Sequence, residues 1–209
     1  TTFLDVPLHV HQTDVTELRT GNCSVTHVVP FREVPMLALP PEPLQEDFRL
    51  YASLYREGMN SDSPAYALLC AFKIIEGARA RRDRRAAEQR QRGERPTSSP
   101  RITIPRTRPE QVAWLRQLFP VGYKWDALTL DSIFLPEVLG RRAEAVVMDE
   151  LRQLRLKIAH ALLDSGEPGI QLDGGQDRQE IRRWLPLARC LARAYMRTEF
   201  PRMFPTASA

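Results

Sequence analysis

The sequence predicts a mainly α protein: a helical bundle of four to five main helices preceded by a small β element. From about residue 44 onward, apolar residues recur at spacings of three, four and seven, the period of a helix with one buried face. Before that point the chain is rich in Val and Thr and alternates apolar with polar side chains, the period of a half-buried strand. Residues 1–40 therefore read as a β-strand or hairpin element. Residues 41–209 read as the bundle, interrupted by a flexible basic linker at about 86–107.

Within the β element, Thr20-Gly21-Asn22 marks a hairpin turn, and Val25, His27 and Val29 alternate against Ser24, Thr26 and Val28. So few strands need a helix face or further strands to pack on. A Pro-rich joint, Pro35 to Pro43, separates them from the first helix, expected from Leu44 to Glu57 with Gly58 as its end. The second helix opens at Asn60-Ser-Asp-Ser with Pro64 near its first position. Its apolar residues lie nearly all round, which places it centrally. Thr107-Arg-Pro-Glu110 matches a capping box for a third helix that ends by Pro120. A short helix falls within Tyr123 to Leu135, and a long one over Glu137 to Leu163. Asp177-Arg-Gln-Glu180 is a second capping box, opening a last helix with Pro186 in its interior, where a kink or restart is expected.

A chain with 43% hydrophobic and 27% charged residues, and no apolar run near the ~20 residues of a membrane span, is expected to be a soluble, non-membrane protein. Its first residues have neither a basic nor a long apolar region, and Cys23, Cys70 and Cys190 fit neither a disulfide framework nor a zinc motif. A cytoplasmic location follows as the expectation. The formal charge is only +4, but eleven arginines and three acids fall between Arg79 and Arg108, a local balance of +8. Arginine grips phosphate through paired hydrogen bonds, so Arg79, Arg81, Arg82, Arg84 and Arg85 are candidate contacts for RNA or another nucleic acid. No aromatic residue lies among them to stack on an unpaired base.

No phosphate loop, nucleophile elbow or zinc-hydrolase motif is present in the sequence. His9, His11 and His27 lack the further ligands that a metal site needs, so no metal or cofactor is expected. His160 stands near the end of an apolar helix, five residues after Arg155 and four before Asp164. An Arg to stabilise phosphorane charge, a His to move a proton and an Asp to orient the imidazole are sufficient equipment for metal-independent RNA cleavage. The bland alternative is a helix-end histidine beside a surface arginine.

Four ordered segments, Leu-Tyr-Arg-Glu-Gly (54–58), Tyr-Ala-Leu-Leu-Cys-Ala-Phe-Lys-Ile-Ile-Glu (66–76), Leu-Arg-Leu-Lys-Ile-Ala-His-Ala-Leu (154–162) and Trp-Leu-Pro-Leu-Ala-Arg (184–189), resemble the methylamine-utilisation protein J family over roughly residues 44–200. That resemblance implies a bacterial protein and an accessory role in methylamine utilisation. Arg155-x4-His160 is also similar to the Arg-x4-6-His signature of the HEPN superfamily, with Leu156 where active members commonly carry a polar residue. This second resemblance implies a HEPN-like homodimer that joins two motifs in one cleft. The sequence thus leaves three readings: a non-catalytic interaction or nucleic-acid-binding module, a ribonuclease using Arg155 and His160, and a methylamine-utilisation accessory factor with a protein partner.

Overall fold

Ser63 accepts a hydrogen bond from the Tyr66 backbone N–H at 3.3 Å and Pro64 occupies the first helical position, which together start the longest helix among the described residues. In this computed structural model the described residues are 11–16, 23–28, 46–96, 101–119, 126–163 and 175–204. Six helices are formed: α1 (Glu46–Asn60), α2 (Pro64–Gln91), α3 (Arg108–Leu118), α4 (Ala127–Ile133), α5 (143–163) and α6 (Gly175–Glu199). The most extensive interface joins α2 to α6, with α1 lying along α2. Leu68, Ile74 and Ile75 of α2 and Leu187 and Leu191 of α6 are wholly buried in a core completed by Leu115, Val146, Leu151 and Ile158. The expected central position of the second helix is therefore observed.

The expected fold class needs two corrections. Among the described residues six helices form the bundle rather than four or five. The expected long helix over 137–163 is divided into a 3-10 turn, Pro136–Val138, and α5, with Gly140 at φ 73° between them. The small β element expected ahead of the helices is not part of the bundle, because among the described residues the bundle is built of helices alone. The short segments His11–Thr16 and Cys23–Val28 form an antiparallel ladder with each other, and their principal contacts are mutual. An isolated two-stranded ladder lacks the further strand or helix face that would make it a supporting layer.

Smaller departures have local causes. Helix α1 runs through Gly58 to Asn60, since Gly58 fits closely against α2, where an added Cβ would lie 3.0 Å from that of Cys70. Helix α6 begins at Gly175, ahead of the expected Asp177, and continues through Pro186 without a restart. The expected capping box of α3 is present: the Glu110 carboxylate accepts from the backbone N–H of Thr107 at 2.9 Å and of Arg106 at 3.1 Å. These bonds hold the Glu110 carboxyl below its ordinary range.

Of the stretch expected as a basic linker, 86–91 is helical, and 102–104 is fastened to the start of α5. Ile104 donates to Arg141 O at 3.0 Å and accepts from Gly140 N at 2.9 Å, with its side chain wholly buried. Residues 97–100 lie outside the described residues. Helix α5 itself comprises Ala143–Val146, a π-helical turn Val147–Leu151, and Arg152–Leu163. The wider turn presents Asp149 and Glu150 together to Arg141, at 2.7 and 3.0 Å.

Cys70 and Cys190 are buried, reduced thiols on the α2 and α6 sides of the core. Burial pushes both thiols up, Cys190 to about 12. In native buffer at pH 8 both are expected to resist an alkylating reagent and to react together when the chain unfolds. Site-resolved mass spectrometry checks this, and rapid native labelling of Cys190 would contradict the packing described.

Candidate functional site

Arg79, Arg82 and Arg85, and the pair Arg81 and Arg85, fall three or four residues apart on α2, so their side chains occupy adjoining turns of one side. The last fully buried residue of α2 is Ala78. Beyond it the helix emerges at the edge of the bundle, where arginine stems lie along apolar surface while their guanidinium groups reach polar partners. Arg81 pairs with Asp47 of α1, and its guanidinium lies 4.8 Å from the Phe200 ring centroid. Arg82 donates from Nε to Glu199 at 3.1 Å and from a terminal nitrogen to Thr198 Oγ1 at 3.3 Å. It also sits 5.6 Å from the Tyr195 ring centroid. Arg85 takes the other oxygen of the same Glu199 carboxylate.

Glu199 is the centre of this arrangement, its side chain only 1% exposed at the end of α6. A buried carboxylate is tolerated where opposite charge and hydrogen bonds replace the water it has lost. Arg82 and Arg85 provide both, and Asp47 answers Arg81 in the same way. Tyr51, beside this group, has its hydroxyl pKa raised by burial and by the Asp47 charge. Tyr195 is raised by burial and by Glu144. Arg79 donates to the Met148 sulfur of the π-helical turn at 3.1 Å.

The local balance of +8 is reduced to +5 when Asp47, Glu199 and Asp131, the partner of Arg108, are counted with the run. On the outward side, exposed Arg84, Arg90, Arg92 and Arg95 are interspersed with exposed Asp83, Glu88 and Glu94, and Arg92 pairs with Glu94 at 3.3 Å. Three of the five candidate phosphate contacts, Arg81, Arg82 and Arg85, are thus committed to carboxylates of this chain. What the arrangement does chemically is fasten α2, α1 and the end of α6 together.

Arg155 and His160 lie on the same continuous stretch of α5, and Arg155 is partly buried. The His160 side chain and the whole of Asp164 fall outside the described residues. Among the described residues, no group of three or more His, Cys, Asp and Glu side chains is placed to hold a metal ion, and no helix is long and apolar enough to cross a membrane.

Sequence reasoning missed a second polar centre on α6. Arg193 is wholly buried, donates from Nε to the Leu118 carbonyl, and lies 4.7 Å from the Phe119 ring centroid, 5.6 Å from that of Phe204 and 5.7 Å from that of Tyr55. One turn earlier, Arg189 donates to the Gly58 carbonyl at 2.7 Å, and burial lowers its pKa. Both guanidiniums satisfy carbonyls near helix C-termini, groups left without intrahelical partners. The one available signal was an arginine between Ala192 and Ala194 in an otherwise apolar stretch.

The buried arginines Arg189 and Arg193, and the arginines of α2, lie within the segment matched by a family model, described as Methylamine utilization protein MauJ, over residues 51–197. The chain belongs to the MauJ family. Comparison with curated proteins returns no match, and comparison with solved structures returns none. The MauJ match begins at the α1 residue that packs on Gly77 of α2 and ends two residues short of Glu199, so it spans the assembled helical core.

Proposed function

We propose that this MauJ-family protein is a non-catalytic accessory factor in methylamine utilisation, acting as a helical interaction module on a protein partner. The family match over 51–197 is the observation that carries the reading. The fate of the arginine run supports it: Arg81, Arg82 and Arg85 hold helices together, which suits a rigid scaffold better than a phosphate-binding groove.

Deletion of the gene in its source bacterium is the test. Growth should fail with methylamine as the sole nitrogen source and proceed normally with ammonium. Expression of the wild type, or of the Arg155→Ala, His160→Ala double variant, should restore growth equally. Failure of the double variant alone, while it remains folded and abundant, would overturn the non-catalytic reading in favour of the HEPN-like ribonuclease. That enzyme would in turn have to cleave RNA in excess EDTA and lose cleavage with His160→Ala. Normal growth of the deletion strain on methylamine would overturn the accessory role itself.

A further inference from the structure

The sulfur of Met148 is placed unlike the other described methionines. Met196 is wholly buried, and Met59 and Met203 are partly buried against the core, whereas Met148 is 40% exposed and accepts a hydrogen bond from an arginine. A thioether is a weak acceptor, so the Arg79 guanidinium, 3.1 Å away, is matched to a group that uses little of its hydrogen-bonding strength. The two residues come from different helices, α2 and the π-helical turn of α5, and the turn sets Met148 outward while Val147 and Leu151 on either side are buried. Wider turns of this kind occur often at functional positions.

We infer that Met148 is a site of reversible oxidation by hydroperoxides, whose sulfoxide is held by Arg79. A sulfur lone pair attacks one peroxide oxygen and the O–O bond breaks. That oxygen forms the S–O bond, the proton it carried passes to the departing oxygen, and with hydrogen peroxide as oxidant one water is released. Sulfur is oxidised by two electrons and the peroxide is reduced by two. The product replaces a weak acceptor with a strongly polarised oxygen facing a fixed cation, so the Arg79–Met148 link between α2 and α5 strengthens on oxidation. At a methionine without such a donor, the same change only adds a polar group to an apolar contact.

Two readouts test this on the full chain. Under limiting hydrogen peroxide, peptide mass spectrometry should show Met148 oxidised roughly tenfold faster than Met59 or Met203, and methionine sulfoxide reductase should restore it. Thermal unfolding should then show that oxidation leaves the wild-type Tm unchanged or raised, but lowers it in Arg79→Ala. Met148→Leu, which keeps the packing volume, should make the Tm indifferent to the same treatment. Oxidation of Met148 no faster than of the other two, or an equal Tm response with and without Arg79, would overturn the inference. A folded Arg79→Lys variant guards against a misfolded alanine variant, because it keeps the charge while losing the planar fork and should give an intermediate response.

Discussion

Glu199→Ala is expected to destabilise the protein by about 3–5 kcal/mol, the range found when one member of a buried ion pair is removed. For a domain of this size that corresponds to a fall in Tm of roughly 6–20 °C. The carboxylate is almost entirely buried and shared by two arginines, so its loss leaves Arg82, itself only 14% exposed, without its main counter-charge. Arg85 is 49% exposed and can turn into water, which places most of the cost on Arg82. Glu199→Gln keeps the shape and one acceptor oxygen and should cost less. A double-mutant cycle between Glu199→Ala and Arg82→Ala should return a coupling of about 2 kcal/mol, since residues within one ion-pair network are not additive. Denaturant unfolding of the four proteins measures it, and a Glu199→Ala variant within 1 kcal/mol of wild type would show that this group does not hold α2 to α6.

The same network explains why the fold was more legible in the sequence than the site. Helix starts are local: Ser63-Pro64 and Thr107 with Glu110 carry their own signals within four residues, and the structure uses both. Counter-charge is not local. The partners of Arg81 and Arg82, Asp47 and Glu199, lie 34 and 117 residues away, so a count along the chain sees an uncompensated basic stretch where the folded protein has a clamp. The π-helical turn at Val147–Leu151 was illegible for a related reason, because one widened turn within an apolar period changes which side chains face out without changing residue types. Alternation over Val25 to Val29 suggested strands but held no information about what would cover them, and among the described residues no strand joins the bundle. Of the Arg155, His160 and Asp164 motif, the described residues place the backbones of Arg155 and His160 on one helix, and the complementation experiment addresses their chemistry.

Arg193→Ala should cost about 4 kcal/mol or more, because three losses coincide at one wholly buried position. Truncation opens a cavity among Tyr55, Phe119 and Phe204, a change that typically costs 2–5 kcal/mol for a large buried side chain. It also removes the donor to the Leu118 carbonyl, and leaving a buried acceptor unpaired costs about 1–3 kcal/mol. Cation–π contacts contribute about 2 kcal/mol when desolvated, and all three contributions overlap rather than sum. Two further variants separate them. Arg193→Met restores most of the volume without charge or donor, so its deficit reports the carbonyl and the ring contacts together. Arg193→Lys restores charge and a donor but not the planar fork that lies among three rings, and should recover about half of the loss. Thermal unfolding orders the series, expected as wild type, then Lys, then Met, then Ala. If Met proved as stable as wild type, the buried cation would be dispensable and simple filling of the space between α1, α3 and residues 200–204 would suffice. If Lys fell to the level of Ala, the geometry of the guanidinium, rather than its charge, would be what joins these elements to α6.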